Sequence, residues 1–324
     1  MKNLAIKLIP WVITIVALYY AFSGLEWGEF FGGLLTANYW YILLAILLTA
    51  SSYLMRSFRW QYFFPEGKLA YAPAAEVLFL GFFMNNILPA RAGEFVRAHF
   101  GSKKFNCQRT LVLATIASER LVDGLTISAF FLLAASNLVH GTIARNLLWV
   151  VGLFFGAGFV ILILLVLRKN IFAAADRISN RFNHRFTVFL NSRLQVFLEG
   201  LKPIYQPSRF PKILLSSAIV WLLELAVYAS VSMAFGAYFG LPTCVLFLVA
   251  VNFSSLIPSA PGAIGVIEAV STAVLVSVGI DKHTALAMVV SQHIIQYLVV
   301  GVPGLWVMLL WKVKLDRVEE SATC

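Results

Sequence analysis

The chain has 324 residues, 60% hydrophobic and only 12% charged, with a mean hydropathy of +0.84. A soluble domain of this length carries about a quarter charged residues, so the composition excludes an ordinary water-soluble enzyme and implies a polytopic membrane protein. The net charge of +10 sits in loops between apolar runs, with no basic tail or nucleic-acid motif, and reads as membrane topology with no nucleic-acid partner.

The first apolar run, 7–23, follows Lys2 and Lys7 and so leaves the cytoplasm under the positive-inside rule. With Ala21-Phe22-Ser23 it resembles a signal peptide, but its length, Pro10 and Trp11 favour an uncleaved span. Gly24–Asn38 holds Glu26 and Glu29 without Lys or Arg and reads as an external loop. A span over 39–58 returns to Arg56, Arg59 and Lys68 at the inner face, where Trp60 and Tyr62 suit an interfacial aromatic belt.

Ala74–Ala90 is too short for a clear span and has basic residues on both sides, which predicts a hairpin dipping in from the cytoplasm and turning at Pro89. Spans over 109–138 and 147–167 follow, joined by an external loop around His140 and Arg145. The cytoplasmic segment 168–212 holds nine Lys or Arg, with Ile171, Ile178, Phe182 and Phe189 among the apolar residues at helical spacing. Both a basic amphipathic helix on anionic headgroups and a cytosolic helix packed on the bundle fit that pattern. A span over 211–239, a second broken stretch over 244–280 entering from outside, and a span over 284–311 complete the chain, with Lys312, Lys314 and Arg317 inside.

The expected fold is an all-α polytopic membrane protein, one integral domain over 1–324, with N-terminus and C-terminus cytoplasmic. About six full spans and two re-entrant helical hairpins form an inverted-topology repeat, 39–138 against 211–311. Ala114-Thr115-Ile116-Ala117-Ser118-Glu119-Arg120 loosely echoes Ala287-Met288-Val289-Val290-Ser291-Gln292-His293.

The hairpins carry the first set of candidate residues. Asn85-x-x-x-Pro89-x-Arg91-x-Gly93-Glu94-x-x-Arg97 is followed, in the other half, by Pro258-Ser259-x-x-Gly262 and Glu268. Pro89 and Pro258 should break one helix, with Gly93 and Gly262 allowing close backbone approach as a new helix begins. A helix N-terminus at depth is a phosphate site, and Arg91 and Arg97 add charge and bidentate geometry. Ser259 is a candidate cap for the second new helix, with Pro261 in its first turn. Glu94 and Glu268 can satisfy helix N-termini, balance arginines or bind a substrate amine.

Ionisable residues inside spans form the second set. Glu119 and Asp123 share a helix face and Arg120 lies three residues before Asp123, so at least one carboxylate needs a cation or a proton. Glu224 and His293 are isolated titratable groups that could pair with Arg120 or relay protons. Cys107, Cys244 and Cys324 lack metal-binding or disulfide spacing, and no cofactor or metal site is expected. Soluble-enzyme and ATPase motifs are absent.

Asn85–Arg97, Ser118-Glu119-Arg120-x-x-Asp123 and Pro261-Gly262-x-x-Gly265-x-x-Glu268 together resemble the flippase-like membrane domain of lysylphosphatidylglycerol synthases, found also in standalone bacterial and archaeal proteins. The resemblance covers nearly the whole chain. It implies movement of an aminoacylated phospholipid, a hopanoid-type lipid or a polyprenyl-phosphate-linked sugar across the plasma (inner) membrane. The acyltransferase domain of two-part synthases would be missing, since seven residues follow Arg317. Where relatives often carry Arg in the final span, this chain has His293, four residues before Tyr297.

The expectation is therefore a lipid flippase or translocase whose hairpin tips meet at a polar cavity near the midplane, with membrane lipids as partners. A membrane-embedded lipid-modifying enzyme and a non-catalytic partner of a separate lipid synthase or glycosyltransferase are the alternatives. A homo-oligomer is compatible with the sequence.

Overall fold

A computed structural model describes residues 2–64, 69–88, 91–134, 149–160, 193 and 195–313. The regular elements among them are helices. In chain order they are α1 (Lys2–Phe22), α2 (Trp27–Thr36), α3 (Tyr39–Trp60), α4 (Tyr71–Ile87), α5 (Gly93–Lys104) and α6 (Arg109–Ala134). α7 (Trp149–Val160), α8 (Phe210–Ala234), α9 (Leu241–Ser254), α10 (Val266–Ser277) and α11 (Lys282–Leu310) follow.

Three of these segments are long and apolar enough to cross a bilayer: Tyr39–Phe63, α8 and α11. α1 and α2, bent by 83° at a short break, make a fourth if they form one broken span. At 26 residues α6 is also long enough, but Glu119, Arg120 and Asp123 interrupt its apolar character. Large apolar side chains such as Trp40, Leu133 and Trp306 are left exposed on the outside of the bundle, as a lipid-facing surface allows.

Two local expectations change. The segment predicted as an external loop over 24–38 contains α2, where Trp27, Phe30, Phe31 and Leu34 recur at helical spacing and Trp27 stacks on Phe22 with centroids 5.8 Å apart. Trp60 does not stand in an aromatic belt. It is fully buried, with its indole N–H donating to Thr115 Oγ1 at 3.2 Å.

α3 and α8 form the central pair, and they run antiparallel. Asn38 N–H donates to the Ala234 carbonyl, Ser230 Oγ to the Tyr41 carbonyl, Ser52 Oγ to Glu224, and Arg59 to Ser217. Numbers rise on one helix as they fall on the other. Around this pair each half has the same helix order: a long helix, a broken helical pair, a long helix. α4 packs on α11 of the other half, and α9 on α6. α5 lies against α6, and α10 against α11.

The breaks have local causes. Leu88 is extended (φ −94°, ψ 143°), the conformation a following proline imposes, and α4 ends there. Pro89 itself lies outside the described residues. Arg91 then adopts φ 56°, and α5 starts at Gly93. A Cβ at Gly93 would run into the Gly81 carbonyl and Asn85, so glycine is what lets α5 fold back on α4.

In the second half α9 ends at Ser254, and α10 begins only at Val266. Gly262, Ala263 and Gly265 have φ of 70°, 59° and 86°, which prevents a helix from starting at Ser259. Ser259 is therefore not the cap, and its hydroxyl donates to the Ile257 carbonyl at 3.2 Å. Pro261 opens a single 3-10 turn. α1 holds this loop: Thr14 Oγ1 accepts from Ala260 N–H at 2.9 Å and donates to the Ile264 carbonyl at 3.3 Å.

Most of the basic segment over 168–212 lies outside the described residues. Its described end packs on the bundle, with Leu201 and Ile204 buried and the Gly200 carbonyl accepting from Ser118 Oγ at 3.2 Å.

Gly93→Ala should lower the apparent thermal stability of the detergent-solubilised protein by about 1–3 kcal/mol through overpacking. Gly152→Ala, whose Cβ would meet nothing within 4 Å, should leave it unchanged or slightly raised, and unfolding curves of both variants check this.

Candidate functional site

The centre of the bundle is ionic. α3 supplies Arg56 and Arg59, α5 supplies Glu94 and Arg97, α6 supplies Glu119, Arg120 and Asp123, and α8 supplies Glu224. Arg59 holds Asp123 through both carboxylate oxygens, at 2.6 and 3.1 Å, and also donates to Ser217 at 3.0 Å. Arg97 donates to Glu119 at 2.7 Å. Arg56 donates to Glu224 at 3.1 Å and approaches Asp123 at 3.6 Å, while Ser52 donates to Glu224 at 2.8 Å. Arg120 reaches Glu94 at 3.0 Å and lies within 4 Å of Glu119 and Asp123.

Four guanidinium groups thus face four carboxylates. An unpaired ion in such surroundings costs several kcal/mol, so the groups have to come as a matched set. Aromatic faces complete the environment. The Arg97 guanidinium lies 3.8 Å from the Trp60 ring centre and that of Arg56 4.7 Å from Trp221, whose indole N–H donates to Asp123 at 3.0 Å.

Beside this network a cavity of about 620 Å³ opens between the two hairpins. Asn85, Arg91 and Glu94 line it from the first, and Pro258, Ser259 and Gly262 from the second. Arg120 and Asp123 of α6 and His293 of α11 close its sides. The hairpin tips touch: Arg91 donates to Ser255 Oγ at 2.6 Å. Among the described residues no carboxylate lies within ion-pair distance of Arg91, which sets it apart from the four arginines of the network.

The second half has its own ionisable pair. Glu268 accepts from Gly265 N–H at 2.6 Å, closing the N-terminus of α10, and its other oxygen lies 2.6 Å from His293 Nδ1. His293 Nε2 lies 3.1 Å from the Gly262 carbonyl. The pair pins the loop at Gly262. It also parallels the first half: Glu94 in the first turn of α5 meets Arg120 of α6, and Glu268 in the first turn of α10 meets His293 of α11.

The sequence-predicted residues divide into groups. Asn85, Arg91, Glu94, Arg120, Asp123, Pro258, Ser259, Gly262 and His293 line the cavity. Arg97, Glu119 and Glu224 lie behind it in the buried network, Glu268 sits behind His293, and Gly93 packs the first hairpin. Arg120 pairs with Glu94; Glu224 and His293, the partners considered for it, instead meet Arg56 and Glu268. The α10 N-terminus is occupied by Glu268, so an incoming phosphate does not find it free.

Arg56 and Arg59, expected at the inner face, are both buried. Helical period could have placed them, because they continue the buried stripe of Ala45, Thr49, Ser52 and Tyr53. Trp221 was also missed, and nothing in its sequence surroundings marks it as a partner of Asp123.

A sequence profile of the lysylphosphatidylglycerol synthase TM region matches residues 7–304. The chain belongs to that family. It is similar, at 24% identity over 312 residues, to a UPF0104 membrane protein of Pyrococcus horikoshii, covering 88% of this chain and 90% of that one. A UPF0104 membrane protein of Methanocaldococcus jannaschii is 24% identical over 223 residues, 66% of this chain and 88% of that one. Family membership and the apolar helices together make this a multi-pass membrane protein. The family match includes both hairpins, the ion network and His293.

Removing one member of the Arg56/Glu224 pair should destabilise the protein by about 3–5 kcal/mol, because the other ion stays buried. The double variant Arg56→Met/Glu224→Leu should lose clearly less than the sum of the two single losses. A double-mutant cycle on denaturant unfolding in mixed micelles measures the difference.

Proposed function

We propose that this protein is a lipid flippase or translocase of the plasma membrane, moving a phospholipid-like or polyprenyl-phosphate-linked lipid. The observation that carries the reading is the cavity between two touching hairpin tips, holding Arg91 with no ion-pair partner among the described residues. An anionic headgroup supplies the charge that Arg91 lacks, and the guanidinium can bind a phosphate through two parallel N–H bonds.

The helix order adds support. The lead helices of the two halves, α3 and α8, are antiparallel, so two halves of like internal order would face the bilayer in opposite senses. Such inverted repeats, with broken helices at a shared site, suit alternating access. In this account 39–138 and 211–311 are the halves, the first hairpin enters from the cytoplasm and the second from outside. The headgroup displaces Ser255 from Arg91 as the tips part, while the lipid tails stay in the bilayer.

The paired arginines and carboxylates keep the cavity walls rigid and charge-balanced. The Glu268/His293 pair beside the second tip is a candidate coupling site. A separate lipid synthase or glycosyltransferase would supply the substrate, and a homo-oligomer would be compatible with the lipid-facing surface.

Reconstituted into vesicles, the protein should accelerate transbilayer movement of a headgroup-accessible fluorescent phospholipid. Arg91→Gln and Glu119→Gln should each lower that rate tenfold or more. Wild-type rates in folded Arg91→Gln protein, or no acceleration by the wild-type protein, would overturn the assignment. Unaided failure with activity restored by a co-purifying synthase would favour the role of a non-catalytic partner.

A further inference from the structure

We propose that the cavity selects a headgroup with a single negative charge, carried by a phosphodiester and flanked by hydroxyls, and rejects cationic aminoacyl headgroups. This rests on the reading of the cavity as a lipid site and narrows its substrate class.

Charge pairing carries the inference. The arginines that line the cavity are Arg56, Arg91 and Arg120. Arg56 is held by Glu224 and Asp123, and Arg120 by Glu94, with Glu119 and Asp123 also near. Of these three, Arg91 has a neutral partner instead of an anionic one. One guanidinium balances one negative charge. The second charge of a diphosphate or a terminal phosphate would enter a low-dielectric cavity with no further unpaired cation among its described lining residues.

The carboxylates exclude the opposite charge. Glu94 is engaged by Arg120, and Asp123 by Arg59 through both oxygens and by the Trp221 indole N–H. An aminoacyl ammonium would have to compete with an arginine for each of these carboxylates. It would also be repelled by Arg91. Neither penalty falls on a phosphodiester.

The rest of the polar lining is uncharged and suits hydroxyls. Gln296 spends an amide N–H on Tyr53, and Asn85 Oδ1 has no partner, which leaves these two amide oxygens as acceptors beside the cavity. Glycerol or sugar hydroxyls can donate to these oxygens while the phosphodiester sits on Arg91 and Ser255. A glycerol-phosphodiester lipid and a sugar linked through one phosphate to a polyprenyl chain share this chemistry.

The test is competitive binding to the purified full-length protein in nanodiscs, using phosphatidylglycerol, lysyl-phosphatidylglycerol and a polyprenyl diphosphate as probes. Phosphatidylglycerol should bind at least tenfold more tightly than either of the others. Arg91→Gln should erase that preference, and Arg91→Lys should keep part of it, with thermal unfolding confirming that both fold. Equal or tighter binding of the lysyl lipid, or a preference that survives Arg91→Gln, would overturn the inference.

Two further arms separate this inference from the flippase reading. Selective binding of phosphatidylglycerol with no translocation would support the inference and overturn the flippase. Translocation with no charge preference would do the reverse. Deacylated glycerophosphoglycerol competing as well as the intact lipid would support the headgroup chemistry and contradict a lipid as its source.

Discussion

A charge in a low-dielectric interior has to be matched, and that constraint organises this molecule. Arg56, Arg59, Arg97 and Arg120 come from three helices, and Glu94, Glu119, Asp123 and Glu224 answer them from three. Moving any one helix would separate at least one pair. The network therefore fixes where α5 and α6 stand against the α3/α8 pair, and so where the first hairpin presents its tip. Arg91 falls at that tip, outside ion-pair distance of the carboxylates of the matched set. Rigidity behind the cavity and an unmet charge in it are two results of the same pairing.

The halves use related devices with different chemistry. Each places a glutamate in the first turn of its second hairpin helix against a cation on the following long helix. In the first half that partner is Arg120, permanently charged, while in the second it is His293, 2.6 Å from Glu268. His293 also reaches the Gly262 carbonyl at 3.1 Å and so pins the second tip.

Much of the helical layout could be read from the chain, because proline, glycine and charge interrupt long apolar runs. The breaks after Ile87 and Ser254 and the long helices around them follow from such signals. The network was harder to see. Arg56 and Arg59 look like positive-inside markers at the end of a span, and only the helical register of Ser52 and Tyr53 hints that they turn inward. Ser259 looks like a cap, but three positive φ values downstream delay α10 to Val266, which local composition does not reveal. The contact from Arg91 to Ser255 joins residues 164 positions apart and has no local signature.

The central claim is that Arg91, left without a carboxylate, meets a lipid phosphate between the hairpin tips. The most direct test is an experimental structure of the full-length protein in phosphatidylglycerol nanodiscs. The account predicts headgroup density between the first and second tips, with the phosphate within hydrogen-bond distance of Arg91 and the four-arginine network intact. Lipid density confined to the outer surface of the bundle, or Arg91 bound to one of the protein's own carboxylates, would contradict it.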